Sequence, residues 1–209
     1  MNSNLLYLMD PLCAWCYTFA GRVEQLMREY PDDLVLEIVP WGMFPSPRVV
    51  DKNFGDWLDR EVHKIQAETN VHFGEKYYSL LHSDSLTLDS RMPSRAILSV
   101  QHIWPQRALE FMVDVERLFF FHGNNLSDET LYADLIAKMG LSPDVFLDDF
   151  RSERTIESVS ESFKRAPKIS KDFPMLYFRT ERSLVPLGSR LTEYEKIKTN
   201  CANMIMKTE

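Results

Sequence analysis

The sequence predicts an α/β fold in which an all-helical insertion separates the second strand from the third. Three observations carry this expectation. The chain opens with an apolar strand, an amphipathic helix and a second apolar strand. Its long middle follows helical periodicity throughout. Its last segment returns to short strands and ends in one more amphipathic helix.

The first strand is Asn4 to Met9, a short apolar run broken by Asp10-Pro11. From Ala14 a helical period begins, with Cys16, Phe19, Val23, Leu26, Met27 and Tyr30 recurring at three- and four-residue steps. Pro31 and Asp32-Asp33 end that helix, and Leu34 to Val39 reads as a second buried strand. A strand–helix–strand unit of this kind implies two parallel strands joined by a right-handed crossover.

Helices are expected at Gly55 to Asn70, Phe73 to Leu81, Pro93 to Trp104, Gln106 to Phe121, Asp128 to Met139 and Ser152 to Ala166. Ser127, followed by Asp128-Glu129, places acids at the positive end of a helix and reads as its cap. Ser142-Pro143 opens a shorter helix, with proline in the first turn. Met175 to Phe178 and Ser183 to Leu187 then read as a hairpin. A final helix presents Leu191, Tyr194, Ile197, Cys201, Met204 and Ile205 on one apolar face. The expected division is residues 1–45 plus 168–209 for the α/β domain and 46–167 for the helical insertion.

Composition narrows the partners. The 209 residues are 44% hydrophobic, enough for a substantial core. A net charge of −7 argues against nucleic acid, whose phosphates require a clustered positive field. No apolar run approaches the roughly 20 residues of a membrane-spanning helix. The amino-terminal segment lacks the basic start and small-residue cleavage site of a signal peptide. The expected location is therefore the cytoplasm, with proteins, peptides or small molecules as partners.

Three cysteines do not make a disulfide framework. Cys13 and Cys16 stand three apart at the start of the first helix, which stacks them on one face. Cys13 lies at the open amino end, where the helix macrodipole and unpaired N–H groups favour a thiolate. Such placement lowers a thiol pKa from about 8.5 to between about 3.5 and 7.5. Cys16, one turn deeper, is expected to be the more buried. Cys13 is then the attacking nucleophile and Cys16 the resolving thiol.

Competing chemistry fits less well. A c-type haem site needs His directly after the second cysteine, where Tyr17 stands. A zinc site needs a second ligand pair, and the five histidines lack tight ligand spacing, so no metal is expected. Ala14 and Trp15 bring no charge between the cysteines, so the direction of electron flow is left open.

The segment Asp10 to Tyr17 (DPLCAWCY) strongly resembles the active site of DsbA-family oxidoreductases, especially the FrnE-like branch. Leu118 to Leu141 is similar to the family's insertion helices, and Phe173-Pro174-Met175 to the start of its third strand. The resemblance implies a thioredoxin-like fold and disulfide exchange on protein or peptide substrates. It implies no bound cofactor, with glutathione as a candidate co-substrate. It also makes Pro174 a cis-proline lying against the cysteine pair, with Phe173 and Trp15 beside the substrate. Without the resemblance, Pro174 reads as an ordinary trans proline opening a strand.

Two departures stand out. Many thioredoxin-fold enzymes carry a buried acid six residues before the first cysteine, where this chain has Tyr7. The Ala-Trp dipeptide also differs from the Pro-His of strong oxidants. A second enzymatic reading is a glutathione-dependent isomerase or transferase, as in kappa-class glutathione transferases and hydroxychromene-carboxylate isomerases. Those generally have a single serine where this chain has the cysteine pair. A third is an interaction module with an inert bridge.

Other residues have plain explanations. Cys201 reads as a core cysteine on the last helix. Lys164, Arg165, Lys168 and Lys171 read as a solvated basic segment, the alternative being a grip on an acidic peptide or glutathione. Trp41 to Pro47 reads as core, the alternative being a substrate groove.

Overall fold

The computed structural model describes residues 3–83 and 85–208. Strand β1 (Ser3–Met9), helix α1 (Ala14–Glu29) and strand β2 (Leu34–Pro40) form the expected parallel unit, with Leu5 opposite Leu36 and Met9 opposite Pro40. Seven helices follow: α2 (Lys52–Thr69), α3 (Glu75–Leu81), α4 (Arg91–Ile103), α5 (Ala108–Phe120), α6 (Glu129–Lys138), α7 (Pro143–Phe150) and α8 (Glu153–Ile169). A 3₁₀ turn at Pro105–Arg107 leads into α5.

One feature of this block was not expected. Strands β3 (Arg48–Val49) and β4 (Thr87–Leu88) pair antiparallel inside it. Two residues are too few to leave an alternation in the sequence. The remaining elements are β5 (Met175–Arg179), β6 (Leu184–Ser189) and α9 (Tyr194–Thr208). The main sheet runs β2-β1-β5-β6, with β5 antiparallel to both β1 and β6.

Side chains alternate between two cores along β1, and both faces are covered. Leu5, Tyr7 and Met9 join Phe19 and Val23 of α1 and Ile197 and Cys201 of α9 in the larger core. Leu6 and Leu8 face the other way, onto Val39, Tyr177 and Ala166 of α8. A strand buried on both faces reads as a continuous apolar run, as this one does. The larger core continues without a break into the helical block, through Phe111, Phe119, Phe120 and Phe146.

Two local expectations need correction. Asp128, not Ser127, caps α6, its side chain accepting from the Thr130 N–H. The two residues are adjacent cap formers, and the chain enters the helix one position later. Leu191 is 52% exposed in the turn before α9 and takes no part in that helix's apolar face. The turn from β6 consumes these positions, with the Thr192 N–H donating to the Ser189 carbonyl.

Candidate active site

Cys13 is the amino-terminal cap residue of α1, in extended conformation, and its carbonyl accepts from the N–H groups of Cys16 and Tyr17. The Asp10 carbonyl receives the Cys13 N–H at 3.0 Å, closing the tight turn between β1 and the helix. Both cysteines are free thiols. Cys16 is fully buried, whereas Cys13 keeps 6% of its surface. The deeper position of Cys16 agrees with the helical spacing. Cys13 is more covered than the open helix end expected for it.

Burial drives the Cys16 thiol well above the usual thiol range. Neighbouring Cys13 and Glu116 add to that rise, and the Asp10 N–H, which donates to the Cys16 Sγ at 3.4 Å, opposes it. Tyr7, also fully buried, donates its hydroxyl to the Cys16 carbonyl at 3.3 Å and leans its ring on Phe19.

Asp10 organises the floor beneath the pair. One of its oxygens accepts from the Leu12 N–H and the Ser90 hydroxyl, both at 3.0 Å. The other accepts from the N–H groups of Gly42 at 2.9 Å and Met43 at 2.6 Å. Burial raises its carboxyl above the ordinary carboxylate range, and these four donors oppose the rise. Ser90 also receives the Phe44 N–H at 3.0 Å. One carboxyl group therefore ties together the loop after β1, the loop after β2 and the start of α4. Gly42 has φ of +81°, and a Cβ there would meet the Phe163 ring at 2.5 Å, so only glycine suits the position. Trp41 to Pro47 thus supplies this support through Gly42, Met43 and buried Phe44, while Met43 and Pro45 to Pro47 are exposed.

The β1–β5 register sets Met175 opposite Leu8, which brings Pro174 to the cysteine-bearing end of the sheet. The Phe173–Pro174 bond is cis. Phe173 is half-buried and packs its ring 4.7 Å from that of Trp41, whose indole N–H donates to the Ser170 carbonyl. Trp15 is half-buried in the first turn of α1, with the Arg190 guanidinium 5.3 Å from its ring centre. Cys201 is a buried core residue on α9, its thiol pushed up to about 11 by burial. Lys164, Arg165, Lys168 and Lys171 are exposed, and Arg165 pairs with Glu37 at 2.6 Å. Among the described residues, no group of three or more His, Cys, Asp or Glu side chains is placed to hold a metal.

The sequence reading missed two residues. Ser90 carries no signal beyond its place before a helix. Glu116 of α5 is fully buried. Its signal was present: Glu116 lies four residues after Met112 and three before Phe119, on a face that is otherwise apolar.

Comparison with solved structures shows the same architecture. A candidate protein disulfide isomerase from Nitrosomonas europaea superposes with a TM-score of 0.86 at 20% identity, covering 100% of both chains. The cytosolic disulfide reductase DsbM from Pseudomonas aeruginosa gives 0.83 at 20% identity, covering 98% of this chain and 99% of that one. The same reductase with GSH gives 0.81 at 21%, covering 97% and 99%. At these identities the likeness is one of fold. No curated protein sequence matches the chain. A family model described as thioredoxin matches residues 6–180, which take in the cysteine pair, the whole helical block and Pro174. On that match the chain belongs to the thioredoxin family.

Proposed function

We propose that the protein is a dithiol–disulfide oxidoreductase acting on protein or peptide substrates, with Cys13 as nucleophile and Cys16 as resolving thiol. The observation that carries this reading is the placing of two free thiols at the amino end of α1, both buried, with Cys13 keeping 6% of its surface and Cys16 none.

The reduction of a substrate runs in two displacements. The Cys13 thiolate attacks one sulfur of a substrate disulfide, forming a mixed disulfide and releasing the other sulfur as a thiolate. Cys16 then loses its proton and attacks the Cys13 Sγ. The Cys13–Cys16 disulfide forms, and the second substrate sulfur leaves and takes up a proton. Two electrons pass from the pair to the substrate. The reverse sequence oxidises a dithiol. Trp15 and Phe173, half-buried near the same end of the sheet, are assigned to the substrate contact.

Glutathione is proposed as the small thiol that re-reduces the pair. The Pseudomonas aeruginosa reductase, solved with GSH, supports this extension. That protein is cytosolic, which favours the same compartment here. Among the described residues, no helix is long and apolar enough to cross a membrane. The α/β part is assigned to residues 1–45 plus 168–209 and the helical insertion to 46–167, with one core running through both.

Insulin reduction driven by dithiothreitol tests the assignment. Cys13→Ser should abolish turnover, and Cys16→Ser should accumulate the mixed disulfide, read by mass spectrometry. An unchanged rate in Cys13→Ser would remove the nucleophile from the proposal.

A further inference from the structure

Glu116 has no place in the two displacements just described, yet its surroundings are unusual. It is fully buried on α5, the helix that packs against α1. Neither of its carboxyl oxygens has a hydrogen-bond partner among the described residues. One turn further along α5, Phe120 stacks on Tyr17 at 5.1 Å, which fixes this face of α5 against the first turn of α1.

The groups that face Glu116 carry no positive charge. From α1, Cys13 and Glu24 act on it, and its own charge is felt at Cys16 and Tyr17. From the β1 side, Asp10 acts on it, and its charge is felt at Tyr7. Arg117, the next residue on α5, pairs with Asp114 at 3.5 Å, and Arg22 acts on Tyr7. Burial, then the charge at Cys13, then Asp10 and Glu24 all favour its protonated form, and it stands well above the ordinary carboxylate range.

We propose that Glu116 is a proton-coupling residue of the Cys13–Cys16 pair, taking up a proton when the pair is reduced and giving it up when the disulfide forms. The reason is local charge. A Cys13 thiolate and an ionised Glu116 are two buried negative charges in one weakly screened region, so they exclude one another. Once Cys13 is bonded to another sulfur, its charge is gone and Glu116 ionises more easily. Glu116 acts through the charge at the sulfurs and makes no contact with substrate.

The inference rests on the proposed redox function and makes a separate measurement. The equilibrium of the pair with glutathione is followed from pH 5 to pH 9 for the wild-type protein, Glu116→Gln and Glu116→Asp. Each extra proton bound on two-electron reduction changes the equilibrium constant tenfold per pH unit, about 30 mV. The wild type should show up to one such proton more than Glu116→Gln within a window above the ordinary carboxylate range. Glu116→Asp should restore part of it. The reduced-minus-oxidised infrared difference spectrum should contain a protonated-carboxyl band that disappears in Glu116→Gln. A cysteine pair that does not equilibrate with glutathione or dithiothreitol defeats the redox function itself. A pair that equilibrates with parallel pH slopes in all three proteins, and no carboxyl band, overturns the role of Glu116 alone.

Discussion

Asp10 and Glu116 are both fully buried acids that act on the cysteine pair, one from the end of β1 and one from α5. Asp10 accepts four hydrogen bonds, three of them from backbone N–H groups of two loops. Glu116 accepts none among the described residues. The same functional group is an anchor in one place and an electrostatic partner in the other. What separates them is the supply of donors: a loop junction exposes unused N–H groups, whereas the face of a packed helix offers only side chains.

Removing the anchor should have the largest effect. Asp10→Ala leaves three N–H groups, two of them in buried bonds, and the buried Ser90 hydroxyl without their acceptor. An orphaned buried donor costs about 1–3 kcal/mol, so a loss of at least about 3 kcal/mol is expected in urea unfolding. Redox activity should fall with it, since the loop that the Asp10 side chain anchors also carries the backbone groups bonded to both cysteines. A loss below about 1 kcal/mol would show that these hydrogen bonds are easily replaced.

The opposite sign is expected at Glu116. Glu116→Met fills similar space and removes a carboxyl group that is buried without partners. The variant should be more stable than the wild type by about 1–3 kcal/mol, while the pH coupling of the pair is lost. Destabilisation by a similar amount would mean that the carboxyl group is satisfied in solution.

The smallest effect is in the pH profile of stability, and it sharpens the contrast. A carboxyl group whose folded pKa is raised binds its proton more tightly in the folded state than in the unfolded one. Stability from such a group is therefore present below the unfolded pKa and is lost as pH rises toward the folded value. Glu116 and Asp10 both contribute in this direction. Wild-type stability should fall as pH rises above the ordinary carboxylate range, by up to about 1.4 kcal/mol per pH unit per group. Glu116→Gln should flatten the profile partly, leaving the share of Asp10. Glu37 has the reverse sign: burial raises its carboxyl, but hydrogen bonds from Arg165 and Arg179 outweigh that and leave it lowered. Its contribution is lost as pH falls, so the acid limb should be the same in Glu116→Gln and wild type.

The order of the main elements was legible because each carries its own periodicity. The run Leu5 to Met9 is apolar throughout because both faces of β1 are covered, and the helical block keeps recognisable caps at Ser142 and Ser152. The cysteine pair was legible from its spacing and its position after a strand. The β3–β4 pair was not, since each strand is two residues long and its pairing joins distant segments. The joint role of Asp10 and Ser90 was not, since 80 residues separate them.

By itself, the sequence determined which segments are helix and strand and set two sulfurs one helical turn apart. Both depend on neighbours a few residues away, and local geometry suffices to read them. Only the tertiary structure decided how far each sulfur is covered, which loops Asp10 binds, and that Glu116 comes to act on a cysteine pair about a hundred residues earlier in the chain. Burial and the action of one charge on another depend on what packs nearby in space, and spacing along the chain does not record that.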